Sequence, residues 1–229
     1  MSGNRVAAAF DAEAAALREV ADGLSAADLA RPSPCPPWTV GELLCHVLIA
    51  TGRVRQALDE PNGDEAQVIR TADYYRPDHR FSAAVNSDRV DAATTLASQL
   101  ASAAAISAKL VRLTAESSEM LRATPADRTV RTRHGDRMLL SDFGRTRVVE
   151  LGVHGLDLAS GLGRQPWLTR QAGDLIEELV LPEADGAKLA AELGCDQAGL
   201  IARLTGRIEL SAADAAVLRR YHVRKLALG

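Results

Sequence analysis

Aromatic residues make up only 3% of the 229-residue chain, so Ala and Leu supply most of a hydrophobic fraction of 47%. Strands favour β-branched and aromatic side chains, whereas Ala and Leu are strong helix formers, so this shortage points to a mostly α fold. Cysteine is scarce as well. Cys35, Cys45 and Cys195 are odd in number and lack C-x-x-C spacing, which argues against a disulfide framework and leaves reduced thiols as the expectation. No run approaches the roughly twenty apolar residues that span a bilayer, so no membrane partner is expected. The first residues lack a signal-peptide pattern, since Asn4 and Arg5 lead into a stretch broken by Asp11, Glu13, Arg18 and Glu19, and a cytoplasmic location is expected. A formal charge of −3 without a polybasic run gives no electrostatic reason to expect nucleic acid. Internal repeats, a phosphate-cradling glycine loop and a Ser/His/Asp arrangement are also missing.

What the chain does have is helical periodicity. A length of 229 residues suits one domain with an appendage or two small domains, divided here as residues 1–165 and 166–229. Val6, Phe10, Leu17, Val20 and Leu24 mark a first helix over Asn4–Leu24, and Ser25 to Asp28 caps one further turn. Thr39 and Glu42 form a T-x-x-E capping box that starts a second helix running to about Glu60, ahead of the turn residues Pro61, Asn62 and Gly63. Residues from Asp64 to Asn86 read as a polar, irregular loop carrying Tyr74, Tyr75, Arg76, His79, Arg80 and Phe81, which either covers a site or wraps the fold. One long third helix is expected from Ser87 to about Leu121, then a short hairpin around His134-Gly135-Asp136, then a fourth helix from near Ser141 to Gly161 or Gly163. Four helices of these lengths make a bundle. Beyond it, Thr169, Asp185, Asp196 and Ser211 mark the starts of short helices. Residues 189–203 have the cadence of a helix-turn-helix, but the second helix offers Asp196, Gln197 and only Arg203 to a polyanion, which disfavours DNA.

Chemistry concentrates in the fourth helix. Arg147, Glu150, His154 and Asp157 fall on one narrow stripe, while Val148, Val149, Leu151, Val153, Leu156 and Leu158 cover the other directions. The stripe is therefore either a solvated face or a set of polar groups aimed into a site. Glu150 and His154, one turn apart, can hold a single cation or can form an ordinary i,i+4 surface contact. A third ligand would come from the second helix, where His46 sits at the border of the apolar face, expected to be half-buried; a lone histidine there is ordinarily a packing residue.

The segments PCPPWTVGELLCHV and RVVELGVHGLDLA, about a hundred residues apart, resemble the DinB-like metal-binding four-helix bundles and, more narrowly, the mycothiol-dependent maleylpyruvate isomerase family. The resemblance covers roughly the first 165 residues and weakens beyond Gly163. It implies His46, Glu150 and His154 as metal ligands, with Trp38 and Thr39 matching the family's helix start. It also implies Arg147 and Asp157 as catalytic-site residues that orient the ligands, the alternative being a surface ion pair.

Two imidazoles and one carboxylate leave an open coordination position, which suits catalytic zinc, although iron(II) or nickel(II) accept the same donors. The resemblance implies that the thiol of mycothiol, a small thiol of actinobacteria, takes that position as a thiolate and attacks an electrophilic substrate. Addition to an activated double bond, rotation and elimination would make an isomerase; release of the adduct would make a transferase. The expected partners are thus a small electrophile and a low-molecular-weight thiol, with a homodimer also compatible. A non-catalytic bundle that binds a metal or small ligand is the reading from a different class.

Overall fold

The computed structural model describes residues 2–61 and 67–228. Asn62, Gly63 and Asp64, part of the expected turn and of the start of the expected loop, lie outside them. Four long helices form the bundle: α1 (Ser2–Asp22), α3 (Val40–Asp59), α6 (Ala103–Ala123) and α7 (Leu140–Leu162). Both α1 and α3 pack against both α6 and α7, which places α1 and α3 on opposite corners. The periodic apolar positions read from the sequence face inward, and Phe10, Leu17, Leu43, Leu110 and Leu151 are at most 1% exposed. The single turn α2 (Ala26–Leu29) carries the expected capping box between Ser25 and Asp28.

Helix α3 begins where its capping box requires. The Thr39 hydroxyl accepts from Glu42 N, while the Glu42 carboxylate accepts from the Thr39 backbone N–H at 2.8 Å. Ahead of it, Ser33 N donates to Trp38 O and Val40 N to Arg31 O, so the proline-rich segment folds back on itself and lays Trp38 against the bundle.

Two expectations are corrected. The long third helix is broken into α5 (Ala83–Leu100) and α6, because Ala101 adopts a left-handed conformation (φ 51°) and the Ser102 side chain caps a new helix at Ala105 N. The break lets α6 enter the bundle while α5 lies along α3. The second correction concerns the described part of the expected loop, which is largely structured. It contains β1 (Val68–Ile69), α4 (Thr71–Tyr74) and a 3₁₀ turn (His79–Phe81). Strand β1 pairs in parallel with β3 (Arg137–Leu139), which forms the expected hairpin with β2 (Thr129–Arg131). A buried anchor holds α4: Thr71 N and Oγ1 donate to Asp142 Oδ1 at 3.2 and 2.7 Å.

Helix α7 ends at Gly163, whose φ of 65° is one that glycine adopts without a steric penalty. Thereafter come α8 (Arg170–Val180), α9 (Gly186–Glu192), α10 (Gln197–Leu204) and α11 (Ala212–Leu218), capped by Thr169, Asp185, Asp196 and Ser211. Helix α8 packs on α1 and α7, approaching α7 so closely at Gly152 that a Cβ there would lie 2.7 Å from Ile176 Cδ1. Leu200 and Ile201 of α10 are buried and Arg203 pairs with Asp214, so this helix is committed to packing.

Thr39→Ala removes one half of the α3 capping box. The expected cost is about 1 kcal/mol of folding stability, read from the midpoint of urea unfolding, with the helical signal of the native state unchanged.

Candidate metal centre

The stripe on α7 does not face solvent. Arg147, His154 and Asp157 are buried, and the Glu150 side chain keeps 17% of its exposure, opening onto a cavity of about 850 Å³ between α3, α7 and the segments laid over them. His46 is buried rather than half-buried, because Trp38 covers it: the two rings stack with centroids 4.8 Å apart. The structure brings the three expected ligands together. His46 Nε2 and His154 Nε2 lie 3.5 and 3.6 Å from the same oxygen, Glu150 Oε2, with the two imidazoles edge to face at 5.0 Å.

Those separations are informative. They exceed a normal N–H···O bond. Two donors that share one ion at about 2.1 Å, at angles between octahedral and tetrahedral, stand about 3.0–3.4 Å apart. The spacing is close to what a shared cation demands, and the donor set is that of an open catalytic site, so the residues fit a divalent ion.

The surroundings already favour an ionised Glu150. Burial pushes its pKa up, but the His154 and His46 rings beside it and the charge of Arg147 outweigh burial and hold it well below the usual carboxylate range. Burial brings His46 down to about 4, helped by the charge of His154 and opposed by Glu150. His154 goes the other way. Burial lowers its pKa, yet Asp157, Cys35 and Glu150 together raise it well above the ordinary value.

Arg147 and Asp157 are not a surface pair. Asp157 Oδ2 lies 2.9 Å from His154 Nδ1, so it fixes the ring with Nε2 turned to Glu150. Among the described residues Arg147 forms no hydrogen bond or ion pair with a ligand side chain. Its guanidinium donates to Ala50 O and Thr146 Oγ1, both at 3.0 Å, and lies 4.8 Å from the Phe143 ring centroid, bridging α7 to α3.

A model of the mycothiol maleylpyruvate isomerase N-terminal domain family matches residues 10–159. The chain belongs to this family. No curated protein and no solved structure matches it. The family span holds His46, Glu150, His154 and Asp157, but the group that braces Asp157 lies outside it. Arg207 donates Nε to Asp157 Oδ1 at 3.2 Å and Nη2 to Oδ2 at 3.3 Å, while its other bonds run to Thr205 O and Leu228 O.

Sequence reasoning gave no role to Arg207, which carries no local signal between Gly206 and Ile208. It also left Tyr75 in a loop. The Tyr75 hydroxyl in fact lies 3.0 Å from Thr146 O and 3.3 Å from Glu150 Oε1, donating toward the face of Glu150 turned away from the imidazoles. Cys35 sits on the cavity wall, where its sulfur, His154 and Asp157 offer ligand atoms within 4.8 Å of one another. On sequence alone Cys35 has no role beyond that of a reduced thiol.

Asp157→Ala is expected to weaken divalent-metal affinity about 10–100-fold, measured by competition with a chromophoric chelator, because His154 loses the acceptor that orients it. The thiols should separate in native-state alkylation with iodoacetamide. Cys35, half-buried at the cavity, is expected to react while Cys45 does not, since burial, assisted by Glu42, pushes Cys45 up to about 12. Rapid labelling of Cys45 in the folded protein would contradict the packing described.

Proposed function

We propose that the protein is a metal-dependent enzyme that uses mycothiol to act on a small electrophile, either as an isomerase of the maleylpyruvate type or as a thiol S-transferase. The observation that carries this reading is the convergence of His46 Nε2 and His154 Nε2 on one Glu150 oxygen in a chain of this family. His46, Glu150 and His154 are the proposed ligands, with zinc as the first candidate ion. A divalent ion in this set supplies one thing: it lowers the pKa of a thiol at its open position, so that thiolate is present near neutral pH.

The chain's own groups then have distinct tasks. Asp157 accepts from His154 Nδ1 and leaves Nε2 as the ligating atom, and Arg207 holds Asp157 in place; both are positioning residues. Tyr75 restrains Glu150 from behind. Trp38, stacked on His46, shields that ring from water on one side. In this reading the unit over residues 1–165 supplies the ligands, and residues 166–229 complete the site through Arg207. The protein then works in the cytoplasm, where small thiols are kept reduced.

The test is elemental analysis of protein purified without added metal, beside His46→Ala and His154→Ala, followed by NMR of mycothiol with an activated alkene. Near-stoichiometric zinc or another divalent ion is expected in the parent and not in either variant, together with loss of thiol-dependent turnover. Recovery of free mycothiol marks an isomerase and its consumption a transferase. Full turnover in a variant shown to be metal-free would sink the reading.

A further inference from the structure

The cavity's charge is unbalanced. Six arginines line it, against Asp88, Glu150 and Asp157. Two of the six are already engaged: Arg207 by Asp157, and Arg147 by Ala50 O and the Phe143 ring. Arg164, just past the end of α7, is exposed and its charge acts on Asp28. The remaining three, Arg53 on α3, Arg89 on α5 and Arg133 in the β2–β3 turn, form no ion pair among the described residues, although other arginines nearby do. Arg76 is paired with Asp73, and Arg80 with Asp78 and Asp136. Asp88 is exposed at the rim and pairs with none of the three.

Two of the three are held in place by something other than a carboxylate. Arg133 Nε donates to His134 Nε2 at 3.0 Å, and Arg89 donates to Asn86 Oδ1 and Arg80 O with its guanidinium 5.3 Å from the Phe81 ring centroid. Arg53 stands seven residues after His46, on the same face of α3 and about 10 Å further along its axis. Their mutual repulsion is felt. Burial, then the charges of Arg133 and Arg147, bring Arg53 down to about 10, and burial followed by Arg89 lowers Arg133. The carboxylate acting on both is Glu150, which is already shared with the two imidazoles.

We propose that Arg53, Arg133 and Arg89 form an oxyanion subsite, and that the electrophile bears a carboxylate or phosphate-type group seated there while its reactive carbon lies toward His46, Glu150 and His154. Guanidinium groups present paired N–H donors that match either anion. Arg53 and Arg89 are half-buried and Arg133 is exposed on the cavity wall, so an anion that meets all three relieves their repulsion and gains more than it would from one isolated surface arginine. The proposal deepens the thiol-transfer reading, on which it relies only for the identity of the molecule that carries the anion.

Equilibrium binding to the protein as purified tests it by calorimetry, with three unreactive probes: levulinate, acetonylphosphonate and the neutral methyl levulinate. At least one anion is expected to bind tenfold or more tightly than the ester, and the tighter of the two identifies the head group. Arg53→Gln and Arg133→Gln should each remove most of that preference, added salt should weaken it, and Arg53→Lys should retain part of it while controlling for folding. Equal binding of ester and both anions would overturn the proposal. So would a preference that survives the double Arg53→Gln, Arg133→Gln change, or one that is lost in His46→Ala alone, since that would put the anion on the metal. Failure of every electrophile to turn over, with the binding preference intact, would count against the thiol reading and leave the subsite standing.

Discussion

Helix α7 is enclosed along almost its whole length, and that enclosure sets a condition on everything around it. A buried helix with four charged residues on one stripe must find a partner inside the fold for each of them, because an unpaired buried charge costs several kcal/mol. Some partners are neighbours on α7, since His154 stands between Glu150 and Asp157, and the others come from elsewhere in the fold. Arg147 reaches the Ala50 carbonyl of α3, Glu150 meets His46 and Tyr75, and Asp157 receives Arg207 from beyond α10. Even Asp142, at the start of the helix, is satisfied by Thr71. The segment over residues 67–81 and the residues after α10 are therefore where the charges on α7 require them, and their folding and the assembly of the site are one problem.

The same condition explains why the central cluster suits a cation. Glu150 is stabilised as an anion by two imidazoles that stand slightly too far away for good hydrogen bonds, and one of them, His46, is pushed toward neutrality by burial. Moving the imidazoles closer would strengthen two hydrogen bonds and close the gap between the three donors. The stacking of Trp38 on His46 and the Asp157 bond to His154 hold both rings at their present distance instead. His46 Nδ1 is buried with no hydrogen-bond partner among the described residues, so its ring is positioned by packing, chiefly the stack on Trp38. That is a costlier way to fix a histidine than the acceptor given to His154, and it is tolerable if Nε2 is the atom whose bond matters.

The bundle was legible in the sequence because it rests on local rules. Capping residues at Ser25, Thr39, Thr169, Asp185, Asp196 and Ser211 announce helix starts through short-range hydrogen bonds, and each starts one. The break at Ala101 and Ser102 was not legible, since an alanine in the left-handed region has no sequence signature and the apolar stripe continues across it. The stripe on α7 was visible, but its direction was not: only the apolar residues on every other face hinted that it pointed inward. Long-range pairing is where reading stopped. Tyr75 looks like a loop tyrosine, and Arg207 lies fifty residues beyond Asp157, so neither could be tied to the site before the chain was folded.

The last residues of the chain show how far that coupling extends. Ala227 N donates to Tyr75 O at 2.9 Å, and Leu228 O accepts from Arg207 Nη2 at 2.8 Å. Tyr75 bears on Glu150, and Arg207 bears on Asp157 and through it on His154. Two adjacent residues of one tail thus brace two of the three proposed ligands by separate routes. A displacement of residues 227–228 would loosen the Glu150 and His154 supports together while leaving His46, held by Trp38 and α3, where it is. The distance from Glu150 Oε2 to the two imidazoles is therefore set from outside the bundle as much as from within it. The residues after α10, which lie beyond the span matched by the family, thus bear on two of the three proposed ligands.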